Sequence, residues 1–164
     1  MKAVDDFARL KQEGRKISMV TAYDAWSARL VARSDVDAIL VGDSAAMVIH
    51  GHSTTLAATV ELMAIHTRVV ASAAAGKFLI ADLPFLSFRK GIPAAMKAVS
   101  ALVTSGAQSV KLEGVAGHED VILPGWSRSR SVPSFRMSST RCGAAAGSIS
   151  RSIRSFSRRA SRPA

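Results

Sequence analysis

Ala38-Ile39-Leu40-Val41-Gly42-Asp43-Ser44 is a short apolar run that stops on a carboxylate. It is too short for a helix and reads as a buried strand. The arrangement returns twice, as Phe78-Leu79-Ile80-Ala81-Asp82 and as Ser109-Val110-Lys111-Leu112-Glu113. Segments with helical spacing lie between these runs, and strands that alternate with helices form parallel sheets. Parallel neighbours end on a common edge, so Asp43, Asp82 and Glu113 are expected together at the carboxyl edge of one sheet. That edge is where α/β sheets and barrels carry their chemistry. Three converging carboxylates suit a hard divalent cation. The competing reading makes each acid the N-cap of a following helix. Against it, Pro84 delays any helix after Asp82, a long loop follows Asp43, and glutamate is a poor cap.

Working outward, residues 4–13 have the spacing of a short amphipathic helix, with Val4, Phe7, Ala8 and Leu10 on its apolar side and Gly14 as its stop. Ile17 to Ala22 is the first strand, and Asp24 sits where a cap is wanted for a helix over 25–32. Val36 to Val41 is the second strand. Residues 45–55 show no clear period and are expected to form a loop over the carboxyl edge. Thr59 to Ala75 has helical spacing and ends at Gly76. Phe78 to Ala81 is the third strand. Pro93 opens a helix over 93–105, and Val110 to Leu112 is the fourth strand. Residues 117–122 look like the start of another helix. The order is one helix and then four βα units. Four such units are half of a (β/α)8 TIM barrel, which needs about 250 residues.

The chain has 164 residues, and 48% of them are apolar, so it belongs with globular proteins. Its net charge of +10 is unevenly spread. Residues 1–122 carry 13 Lys and Arg against all 12 acids, leaving +1. Residues 123–164 hold 9 Arg and 12 Ser with no Lys and no acid. We therefore divide the chain into a barrel-type part, 1–122, and an irregular Arg/Ser-rich tail, 123–164. One reading of the tail is a basic arm that neutralises RNA phosphates. The other is a GC-rich gene translated out of frame, because the change falls inside a βα unit. Cys142 is the only cysteine, which excludes an internal disulfide. The acidic start Asp5-Asp6 does not resemble a signal peptide, and no apolar run nears the ~18 residues of a membrane span. The expected compartment is the cytoplasm.

Lys111 lies two residues before Glu113 in the same strand, so both point to one face. A charge on a covered face is unfavourable unless paired, and Glu113 with a bound anion would supply the pairing. The alternative is a lysine whose head reaches solvent past the sheet edge. His66 sits within a helix and reads as a satisfied structural histidine. His50 and His52 could touch a ligand but make no metal signature by themselves. No phosphate-cradling glycine loop and no nucleophile elbow is found.

Thr21-Ala22-Tyr23-Asp24, Val41-Gly42-Asp43-Ser44, Gly51-His52 with Thr55-Leu56, His66-Thr67, Ala81-Asp82-Leu83-Pro84-Phe85 and Val110-Lys111-Leu112-Glu113-Gly114 follow one another in a familiar order and spacing. In these motifs residues 5–122 resemble the ketopantoate hydroxymethyltransferases. The resemblance implies a TIM-barrel enzyme of pantothenate synthesis. Such an enzyme moves a hydroxymethyl group from 5,10-methylenetetrahydrofolate to 3-methyl-2-oxobutanoate. It further implies Mg²⁺ held at Asp43, Asp82 and Glu113, and a 2-oxo acid contacted by Asp43, Ser44, Asp82 and Lys111. The family assembles as homo-oligomers. Ala45-Ala46 replaces a usual Leu-Gly pair. The family's glutamate general base, expected after residue 122, has no counterpart in residues 123–164, so no catalytic residue is assigned. Two rivals stand beside this reading. One is a related Mg²⁺-dependent 2-oxo acid lyase or mutase on the same barrel. The other is an RNA-binding protein acting through the tail.

The out-of-frame reading has a direct check. Translating the encoding DNA in its other frames beyond about codon 122 should restore alternating strand and helix patterns; a DNA sequence with no such frame would leave the tail as a selected segment.

Overall fold

The computed structural model describes residues 3–112. Glu113, the helix expected over 117–122 and the Arg/Ser-rich segment lie outside them. Four parallel strands stand side by side in chain order: β1 Met19–Thr21, β2 Ala38–Val41, β3 Phe78–Asp82 and β4 Ser109–Lys111. Five helices accompany them: α1 Val4–Gln12, α2 Ala25–Ala32, α3 Ala45–Val48, α4 Val60–Ala73 and α5 Ile92–Thr104. Leu40 lies opposite Thr21 and Ile80, Ile80 opposite Ser109, and Asp82 opposite Lys111. This is the first half of a TIM-barrel pattern.

The two-residue period of the strands sorts their side chains into two layers. Ile39, Val41, Leu79, Ala81 and Val110 pack with Met63 and Val70 of α4 and with Ala98 and Leu102 of α5. Ala38, Phe78 and Ile80 face the other way and meet Phe7 of α1. The Phe7 and Phe78 rings meet edge to face at 4.7 Å, so α1 covers the amino end of that inner face.

Local chemistry explains the helix ends. Asp24 caps α2, its Oδ1 accepting from the Trp26 and Ser27 amides at 2.8 and 2.9 Å. Thr59 caps α4 through the Leu62 amide at 3.1 Å. Pro93 sits in the first turn of α5, where its missing N–H costs nothing. Gly106 follows α5 at φ +110°, and a Cβ there would lie 2.5 Å from the Ala71 Cβ on α4. The bare backbone lets the chain leaving α5 pass against α4.

Three expectations need correction. Residues 45–55 are not a plain loop: they begin with α3, and a 3-10 turn follows at Thr55–Ala57. Ala45 and Ala46 are fully buried, and alanine is the strongest helix former, but four residues are too few to show a period. The first two strands are shorter than the apolar runs that announce them. Ser18 leaves the ladder to bind the Asp37 carboxylate through its N–H at 2.7 Å, and the Val36 carbonyl is taken by Lys77 Nζ at 3.0 Å. The fourth strand, whose core was expected over Val110 to Leu112, runs over Ser109–Lys111 and ends before Leu112.

Two outcomes check this packing. Gly106→Ala combines left-handed backbone with a collision against α4, and should lower unfolding stability in urea by about 2–4 kcal/mol. The Ser27 amide and hydroxyl hold the Asp24 carboxyl below the ordinary aspartate range, against the opposing effect of burial. A depressed carboxyl contributes stability above its unfolded pKa and loses it as pH falls through the folded value. Asp24→Ala should therefore cost about 1 kcal/mol at neutral pH, with the gap to the unsubstituted chain closing in acid.

Candidate active site at the carboxyl edge

β3 is buried along all five residues and ends on its only charged one, Asp82, which is 4% exposed. A carboxylate so deep needs partners. Register supplies the first: Lys111 on β4 stands opposite, and its Nζ lies 2.7 Å from Asp82 Oδ1. The second is the Asp43 amide, which donates to Asp82 Oδ2 at 3.3 Å. Among the described residues each carboxylate oxygen thus has one of these donors, and a carboxylate oxygen has lone pairs for more. Lys111 pairs with Asp82 instead of reaching solvent past the sheet edge. Its expected partner Glu113 lies outside the described residues.

Asp43 and Ser44 follow β2 and are half-buried. The Ser44 hydroxyl shares a 2.8 Å hydrogen bond with the Tyr23 hydroxyl, which reaches across from the end of β1. Ser44 precedes α3, yet its side chain makes no capping bond. Gly42 lies beneath this group. A Cβ there would stand 2.9 Å from Ser44 Oγ, 3.6 Å from Thr21 Cγ2 and 3.7 Å from Asp82 Oδ2. The missing side chain leaves a small hollow walled by a carboxylate, a hydroxyl and a methyl group.

Of the residues expected in the site, Asp43, Ser44, Asp82 and Lys111 come together at the carboxyl edge of β2, β3 and β4. No cluster of three or more metal-ligating side chains occurs among the described residues, and the third expected carboxylate is Glu113. The chemistry of the donors suits Mg²⁺: carboxylate oxygens are hard ligands, and the bare Gly42 backbone lets the Ser44 hydroxyl and the Asp82 carboxylate approach the same spot. The group is acidic, yet it includes the ammonium of Lys111, a combination suited to a metal and an anion side by side.

The histidines sit apart from this group. His66 is 8% exposed; its Nδ1 is 2.7 Å from the Tyr23 carbonyl and its Nε2 is 2.8 Å from His50 Nε2. It is a satisfied structural histidine, as its place in a helix predicts. His50 is engaged by it, and His52 is exposed. Tyr23 and Gly42 were given no role by sequence reasoning. Their presence in the quoted motifs was the only available signal, because neither carries a charge or a metal-binding group.

The sequence profile of the ketopantoate hydroxymethyltransferase family matches residues 1–124. The chain is 56% identical over 113 residues to the 3-methyl-2-oxobutanoate hydroxymethyltransferase of Coxiella burnetii (strain RSA 493 / Nine Mile phase I), covering 69% of this chain and 42% of that protein. It is 55% identical over 118 residues to the protein of the same name from Bdellovibrio bacteriovorus, covering 72% of this chain and 45% of that one. The chain thus spans less than half the length of these curated relatives. Among solved structures, it superposes on phosphoenolpyruvate phosphomutase from Streptomyces platensis subsp. rosaceus with a TM-score of 0.54 and 18% identity, over 68% of this chain and 38% of that one. It also superposes on 2,3-dimethylmalate lyase, a PEP mutase/isocitrate lyase superfamily member, with a TM-score of 0.55 and 19% identity, over 71% of this chain and 41% of that one. At those identities the likeness speaks to the fold, a TIM barrel of which this chain forms the first part. With a profile match over residues 1–124 and relatives at this identity, the chain belongs to the ketopantoate hydroxymethyltransferase family.

Proposed function

We propose that this chain carries the Mg²⁺- and oxo-acid-binding portion of a 3-methyl-2-oxobutanoate hydroxymethyltransferase, with 5,10-methylenetetrahydrofolate as the one-carbon donor. The observation that carries the proposal is the pairing of buried Asp82 with half-buried Lys111 at 2.7 Å, set at the carboxyl edge beside Asp43, Ser44 and Gly42. Asp43, Asp82 and Glu113 would hold the Mg²⁺. When bound, that ion supplies Lewis acidity toward the carboxylate and keto oxygens of a 2-oxo acid.

The chain's own groups divide the remaining work. Lys111 brings a positive charge to an anionic substrate and opposes the negative charge that develops as C3 gives up its proton. Asp82 holds the Lys111 ammonium in place and keeps its charge near the sheet edge. The Tyr23 hydroxyl fixes the Ser44 hydroxyl at 2.8 Å, so Ser44 meets the substrate already oriented. Gly42 leaves room where any side chain would fill the hollow. Trp26 and Leu30, one turn apart on α2, and Ile65 on α4 are exposed apolar side chains, which supports homo-oligomeric assembly. No helix among the described residues is long and apolar enough to cross a membrane. On family membership, the compartment proposed for the chain is the cytoplasm.

Calorimetry of the full chain with Mg²⁺ and 3-methyl-2-oxobutanoate tests this reading by binding rather than turnover. Asp82→Asn should weaken uptake of both at least about tenfold, and Lys111→Met should weaken the oxo acid by a similar factor. Binding that is indifferent to both changes would place the site elsewhere.

A further inference from the structure

The loop between β3 and α5 divides its apolar side chains into two sets. It runs Leu83-Pro84-Phe85-Leu86-Ser87-Phe88-Arg89-Lys90-Gly91. Leu83, Pro84 and Phe88 are buried and hold the loop to the body. Phe85 and Leu86 are 56% and 40% exposed. Two turns keep the segment compact: the Ser87 amide donates to the Pro84 carbonyl at 3.0 Å, and the Arg89 amide to the Leu86 carbonyl at 3.1 Å. Arg89 and Lys90 are exposed as well. The Arg89 guanidinium carbon lies 6.0 Å from the centre of the buried Phe88 ring, which tethers that charge to the loop. Among the described residues no carboxylate pairs with either cation.

This segment leaves from the carboxyl edge. It starts at the residue after Asp82, and its Leu83 amide donates to the Lys111 carbonyl at 2.9 Å. Three peptide units span at most about 11 Å, which bounds the distance from the Asp82 Cα to the Phe85 Cα. An exposed aromatic ring, an aliphatic neighbour and two uncompensated cations thus stand together within residues 85–90. They suit a ligand that is itself aromatic and anionic, ring against ring and carboxylate against cation. A small 2-oxo acid has no ring to offer. The one-carbon donor proposed above has: a reduced folate joins a pterin and a benzoyl ring to a glutamate tail that carries carboxylates. Its one-carbon unit must reach C3 of the oxo acid, so the folate has to enter at the edge from which this loop projects.

We propose that residues 85–90 are a folate-docking element, with Phe85 and Leu86 against the ring system and Arg89 and Lys90 against the carboxylate tail. The inference rests on the reading that this chain serves a folate-dependent hydroxymethyl transfer. The buried anchors fix the loop before the ligand arrives, so little ordering is left to binding.

The test uses the full chain with Phe85→Ala, Phe85→Tyr, Asp82→Asn and an Arg89→Ala/Lys90→Ala double variant. Each is titrated calorimetrically with 5-formyltetrahydrofolate, a stable reduced folate, and with 3-methyl-2-oxobutanoate plus Mg²⁺, at low and at high salt. Phe85→Ala should bind the folate about 3- to 10-fold more weakly at either salt concentration, and Phe85→Tyr should retain it. The double variant should lose a similar factor at low salt and little at high salt, because exposed charges are screened. All three loop variants should bind the oxo acid like the unsubstituted chain, while Asp82→Asn loses it. Unchanged folate binding in Phe85→Ala and in the double variant overturns the docking element and leaves the oxo-acid site standing. ATP, also aromatic and anionic, binding as tightly as the folate overturns it too. So does a Phe85→Ala chain that sediments as a smaller species yet keeps its folate affinity, since the loop would then join copies of the chain. An unsubstituted chain that takes up oxo acid but no folate removes the docking element alone. One that takes up folate through the loop but no oxo acid removes the oxo-acid reading alone.

Discussion

β3 is the strand on which the rest depends. All five of its residues are buried, and it is bonded along both edges, to β2 and to β4. A strand enclosed in this way has no freedom of register. A slip of one residue would exchange its two faces and drive Asp82 into the apolar layer formed by α4 and α5. The ladder therefore fixes where the carboxylate emerges, and the opposing register position fixes what meets it. The Asp82–Lys111 pair is a consequence of strand pairing and not of a flexible side chain finding a partner.

That geometry gives the carboxyl edge its chemical character. Charge is concentrated at the ends of β3 and β4, while the layers below it are apolar. Low local polarity strengthens the attraction between Asp82 and Lys111 and would strengthen their hold on an anion beside them. The absent side chain at Gly42 matters as well, because a Cβ there would collide with the Ser44 hydroxyl 2.9 Å away.

Most of the architecture was legible as text. The strand cores, the cap Asp24 and the glycine stops each rest on a local rule, and local rules survive in the folded chain. The nearness of Asp43 and Asp82 was legible too, because parallel neighbours share an edge; Glu113, the third carboxylate of that expectation, lies outside the described residues, and the pairing of Lys111 with Asp82 was not foreseen. What escaped was short or silent. α3 has four residues and no period. The strand ends at Ser18 and Val36 are set by Asp37 and Lys77, side-chain partners that no strand pattern encodes. Tyr23 and Gly42 act through reach and through emptiness, and neither property leaves a mark in composition or spacing.

Tyr23 is anchored at both ends, and that has a mechanical consequence. Its backbone carbonyl is tied to His66 in the middle of α4, and its phenol is tied to Ser44 at the threshold of α3. A single residue therefore braces the outer helical shell against the mouth of the half-barrel. The Ser44 hydroxyl is thus referenced, through one residue, to a helix that carries none of the site's charged groups.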